Sequence, residues 1–134
     1  MLTGVKLPID YQSAQMSADD LNRKFPATIQ WTFPNTVSND QNVGLFKYRA
    51  VAPISFIGFD MILNTAPSGQ AIIVDWKVDD VIIPAYRMTL AVGETYVLLS
   101  VAVSLDAGQT LQPFIYQVGT NQPGQTMALR ARGI

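Results

Sequence analysis

From residue 54 onward the chain repeats one pattern: a short alternating apolar stretch, a turn rich in Gly, Pro, Asn or Asp, and another such stretch. The stretches are 54–63, 70–78, 81–84, 95–103, 110–118 and 126–132, separated by turns at 64–69, 79–80, 105–108 and 121–124. Apolar residues at every second position put one face of a strand into a core. Turn chemistry every eight to twelve residues or so leaves no room for long helices. Two further alternating stretches, 29–33 and 45–51, are joined by a loop over 34–44. About eight strands result, which predicts an all-β, antiparallel β-sandwich of jelly-roll type.

Before residue 28 the alternation is missing. Residues 1–28 read as an N-terminal extended arm with a short helix over 18–24, capped by Ser17 and Asp20 and stopped before Pro26; residues 29–134 read as the β-sandwich domain. The arm nevertheless carries Leu2, Val5, Leu7, Ile9, Tyr11, Met16 and Leu21, too apolar for a plain solvated tail. Spaced apolar residues of this kind are expected to order on a partner, which makes these seven the candidate partner-binding residues. The competing expectation is an extra edge strand and helix packed on the chain's own sandwich.

Faces follow from the period of two. In 70–78, Ile72, Val74, Trp76 and Val78 share one side and Ile73, Asp75 and Lys77 the other. In 126–132, Met127, Leu129 and Ala131 oppose Ala128, Arg130 and Arg132. Strands 96–103 and 110–118 are apolar on both sides, the latter with Phe114, Tyr116 and Val118 against Leu111 and Ile115. Such strands are either central in a covered sheet or lie against another subunit, and two of them together favour a homo-oligomer, with a trimer expected. The expected core comprises Ile72, Val74, Trp76, Leu99, Val101, Phe114, Tyr116, Met127 and Leu129.

The 134 residues suffice for a single core, and nine basic against ten acidic side chains leave a net charge of −1, without the basic excess of a nucleic-acid binder. Cysteine and histidine are absent, which removes thiolate chemistry, the usual general base and the commonest metal ligand. Neither a signal peptide nor a membrane-spanning apolar run is visible, so a soluble chain made in the cytoplasm is expected.

Carboxylates are the only numerous candidate catalytic groups: Asp60, Asp75, Asp79, Asp80, Glu94 and Asp106. No spacing selects a glycosidase-like pair, and Asp79-Asp80 reads as a hairpin turn before it reads as a calcium loop. No activated nucleophile or phosphate-cradling glycine loop is recognisable, so no enzyme activity, cofactor or metal is expected. Trp31, Phe33, Phe46, Tyr48, Phe56 and Phe59 suit either a sugar-stacking platform or, at strand spacing, a core.

The run Asn64-Thr-Ala-Pro-Ser-Gly-Gln-Ala-Ile-Ile-Val-Asp75 is followed by Ser104-Leu-Asp-Ala-Gly108, Tyr116-Gln-Val-Gly-Thr120, Pro123-Gly124 and Met127-Ala-Leu-Arg130. In that order they resemble a β-sandwich module of structural proteins of tailed bacteriophages. The resemblance covers over half the chain and implies a virion component of head or tail, often oligomeric, without catalytic residues. With no heptads or repeats before the module, it implies a capsid-decorating (cement) protein. Such a protein would stabilise the head through sheet-edge and arm contacts with its own subunits, the major capsid protein or other virion proteins. The alternatives are a tail or baseplate adaptor, a receptor- or glycan-binding tail protein whose site is formed by loops such as 34–44 and 119–125, and a cellular carbohydrate-binding sandwich.

Overall fold

A computed structural model describes residues 28–39 and 46–133. Nine strands run through them: β1 (Thr28–Thr36), β2 (Tyr48–Arg49), β3 (Ile54–Thr65), β4 (Ile72–Val78), β5 (Val81–Ile82), β6 (Met88–Leu90), β7 (Tyr96–Leu105), β8 (Thr110–Gln117) and β9 (Gln125–Gly133). A single 3₁₀ turn, Pro84–Tyr86, links β5 to β6. The first sheet has the order β1-β9-β3-β7; the second has β2-β8-β4-β5, with β6 pairing on β4. Every strand pairing is antiparallel. The chain passes from sheet to sheet as it proceeds, β1 to β2 to β3 to β4 and β6 to β7 to β8 to β9, which is the jelly-roll manner of closing two sheets on one core. The arm expected over 1–28 lies almost wholly outside the described residues, and its last residue begins β1.

The inner faces match the alternation. Ile72, Val74 and Trp76 of β4 and Met127, Leu129 and Ala131 of β9 are buried. Between the sheets Phe59 stacks on Trp76 at 4.2 Å, and Trp31 meets Trp76 edge-on at 5.3 Å. Both indole N–H groups are satisfied, Trp31 by the Phe46 carbonyl at 2.9 Å and Trp76 by the Met88 sulfur at 3.3 Å. A buried N–H without an acceptor would cost about 1–3 kcal/mol, so these two contacts permit the tryptophans to sit at the centre.

Three expectations change. Tyr116 is exposed and Phe114 only half-buried; the inward residues of β8 are Leu111 and Ile115. Both faces of that strand are apolar, so periodicity could not choose between them, and the register against β4 does. Leu99 and Val101 are half-buried, because β7 is an outer strand rather than a central one. The strand expected over 45–51 shrinks to Tyr48–Arg49, while β6 at Met88–Leu90, with Met88 and Leu90 buried, is additional. Its three residues are too few to show a period.

Asp79 and Asp80 form the turn of the β4–β5 hairpin, with φ of 50° and 66°. Left-handed conformation at both central residues is what a two-residue turn matched to strand twist requires, and Asp tolerates it.

Candidate functional site

On the outer face of the second sheet, β4 presents Ile73, Asp75 and Lys77 and β8 presents Gln112, Phe114 and Tyr116. Asp75 lies opposite Phe114 and Lys77 opposite Gln112. The register then slips: Val74 faces Ile115 but Ile73 faces Gln117, so Tyr116 is the extra residue of a bulge. Tyr116 continues the outward alternation of Gln112 and Phe114, and its ring is 52% exposed.

Arg87, just after the 3₁₀ turn, reaches across this face. Its Nε donates to Asp75 Oδ1 and its Nη2 to Oδ2, both at 2.9 Å. The guanidinium carbon lies 4.8 Å from the centre of the Tyr116 ring, and the Lys77 ammonium lies 4.8 Å from that of Phe114. Asp75 is buried beneath, 1% exposed, although it points away from the core. The side-on pair locks the guanidinium plane and leaves its other N–H groups free to donate outward. Hydrogen bonding to Asp75, chiefly, pushes the Arg87 pKa above its ordinary value, with the Asp75 charge adding to it and partial dehydration opposing it. Arg87 is therefore a fixed cation. Thr89, opposite Ile73, and Gln117, whose amide donates to the Ala71 carbonyl at 2.9 Å, complete the surface.

The first sheet has a related arrangement on its own outer face. Asp60, fully buried, receives Arg130 Nε at 2.8 Å, Arg130 Nη2 at 2.6 Å and the Tyr96 hydroxyl at 3.3 Å. Asp60 and Asp75 thus lie on opposite outer surfaces of the sandwich, each held by an arginine, and do not form a catalytic pair. Asp79 accepts the Thr110 N–H at 2.9 Å, Asp80 pairs with Lys47, and Glu94 and Asp106 are exposed. Among the described residues no group of three or more acidic side chains could hold a metal.

Of the aromatics considered as a sugar platform, Trp31, Phe33, Phe56 and Phe59 are core and Tyr48 is half-buried; Phe46 is exposed but stacks on Trp31 at 5.0 Å. The loop over 119–125 is tied to Ser68 by Gln122 and Asn121 rather than left open. Part of the loop over 34–44 lies outside the described residues, as do Leu2, Val5, Leu7, Ile9, Tyr11, Met16 and Leu21. Sequence reasoning missed Tyr116 and Arg87: the first was assigned to the core, and the second lay outside every alternating stretch. Lys77 and Asp75 on one face of β4 were the available signal.

No protein-family model matches the sequence, and no curated protein matches it. Similar solved structures include a family 35 carbohydrate binding module from Clostridium thermocellum, with a TM-score of 0.43 and 12% identity over 77% of this chain and 89% of that one. A GH26-CBM35 β-(1,4)-mannanase from Podospora anserina gives a TM-score of 0.43 and 10% identity over 80% of this chain and 28% of that one. A family 35 module from an environmental isolate gives 0.36 and 14%, over 77% and 63%. Two of these are carbohydrate-binding modules, the third is a mannanase named for one, and none is a phage head protein; the capsid-decorating expectation is corrected on that finding. At such identities and TM-scores the likeness reaches the layout of strands only, and ligand recognition has to be read from this chain's own side chains.

Proposed function

We propose that this chain is a non-catalytic glycan-binding sandwich whose site is the outer face of the second sheet around Tyr116. The observation that carries the reading is the exposed Tyr116 ring beside a guanidinium immobilised by a buried carboxylate. A sugar ring offers an apolar C–H face and a rim of hydroxyls. The open part of the Tyr116 ring suits the first, and the outward N–H groups of Arg87 with the Lys77 ammonium suit the second. Because Asp75 holds Arg87 in place before a ligand arrives, little side-chain entropy remains to be lost on binding.

Affinity electrophoresis of the whole chain against a panel of soluble polysaccharides tests this reading. At least one polysaccharide should retard the protein. Tyr116→Ala or Asp75→Ala should weaken that binding by tenfold or more, equivalent to about 1.4 kcal/mol. Asp60→Ala removes a comparable buried carboxylate on the opposite sheet and should leave binding intact. No retardation across the panel, or equal loss from Asp60→Ala and Asp75→Ala, would overturn the proposal.

A further inference from the structure

Two aromatic residues follow one another along the outer face of β8, and each has a cation over its ring. Lys77 lies over Phe114 and Arg87 over Tyr116, both 4.8 Å from the ring centre. Phe114 and Tyr116 are two residues apart, so the two cation–ring units are spaced about 6–7 Å along the strand. The charges on this face do not cancel. Asp75 is matched by Arg87, whereas no carboxylate of the described residues pairs with Lys77. The next acids along the chain are engaged elsewhere, Asp79 by the Thr110 N–H and the Gln109 amide, and Asp80 by Lys47 at 2.6 Å. A ring quadrupole holds a cation only weakly at an exposed site, so Phe114 guides the Lys77 ammonium without neutralising it.

We propose that the ligand of this site is an anionic glycan, with its carboxylate or sulfate groups met by Arg87 and by the Lys77 ammonium. The inference rests on the glycan-binding reading and narrows it to charged polysaccharides. The pair with Asp75 occupies the Arg87 Nε–H and one N–H of Nη2. The other Nη2 N–H and those of Nη1 remain, and together they form a second fork of the kind that grips an oxyanion. Asp75 is buried beneath the guanidinium, so an approaching ligand meets the cations before the carboxylate. A neutral sugar would satisfy the Arg87 fork but leave the Lys77 charge unmatched. The whole chain carries a net charge of −1, so its overall charge does not draw anionic polymers and their attraction has to come from this face.

Paired polymers separate charge from backbone. Affinity electrophoresis of the full chain would use alginate and hyaluronan, each beside its carboxyl-reduced form, and dextran sulfate beside dextran. In at least one pair the charged member should retard the protein and the neutral member should not, and added salt should weaken the effect. Retardation by alginate or hyaluronan assigns the contact to carboxylates, and by dextran sulfate to sulfate esters. Lys77→Gln should weaken that binding by about fivefold or more, as loss of one charge-assisted contact does, while Lys77→Arg should keep it. Arg132→Gln removes the same charge from β9 of the other sheet and should change nothing. Equal losses from Lys77→Gln and Arg132→Gln would overturn the inference, because attraction would then belong to the whole chain. Charged members that retard the protein no more than their neutral partners would overturn it too. Retardation by a neutral polysaccharide of the wider panel would in that case leave the glycan-binding reading standing, and none anywhere would remove both.

Discussion

Asp75 and Asp79 are four residues apart, and their surroundings give them different work. Asp75 is hidden under Arg87 and serves as its anchor, whereas Asp79 ties the β4–β5 turn to β8. The Asp79 carboxyl is held below the ordinary value of 3.8, chiefly by the Thr110 backbone N–H, with help from the Gln109 amide, the Thr110 hydroxyl and Arg49 against partial dehydration. A depressed folded-state pKa means that the ionised group stabilises the fold above pH 3.8, and that this contribution disappears as the pH falls through the lower folded value. Asp79→Asn tolerates the left-handed backbone and removes the charge. The variant should be less stable than the native chain at pH 7, and the gap should begin to narrow as the pH falls below about 4. Urea unfolding at pH 7 and pH 3 checks this; a gap that stays constant would place the effect in the turn geometry instead.

The β3–β7 ladder slips between Phe56 and Gly58, beside a groove lined by Ser55, Ile57, Ser100 and Ser104. Gly58 is required at that point. A Cβ there would lie far inside contact distance of the Leu99 carbonyl oxygen, a backbone atom that cannot move aside. Gly58→Ala should therefore push β7 away from β3 and destabilise the fold by about 1–3 kcal/mol, as overpacking does. Chemical denaturation measures the loss. The β7 edge should show it first, as faster amide hydrogen exchange over 96–100 than over β9.

One aromatic centre joins the sheets. Trp76 of the second sheet stacks on Phe59 and meets Trp31, both of the first, so its removal weakens the packing between the two layers rather than loosening a single strand. Trp76→Ala should cost about 3–5 kcal/mol, the range for large aromatic truncations. In the variant, unfolding followed by Trp31 fluorescence and by far-ultraviolet circular dichroism should remain coincident, because a single core links the described strands. Separate transitions would mean that the sheets are independently stable.

Alternation at every second residue and the intervening turns determined the fold class, most strand positions, the inner faces of β4 and β9 and the Asp79-Asp80 hairpin. These depend on each strand having one side that must leave water and on turns that need particular backbone conformations. Where both faces of a strand are apolar, as in β7 and β8, period alone cannot rank them. Only sheet order made β7 an outer strand, and only the register of β8 against β4, with Val74 facing Ile115, put Ile115 inside and Tyr116 outside. The site has the same origin. Arg87, Asp75 and Tyr116 come from three segments, and nothing in their spacing along the chain brings them together. The pairing of β4 with β6 and β8 does, because hydrogen-bond register across a sheet sets which side chains share a face.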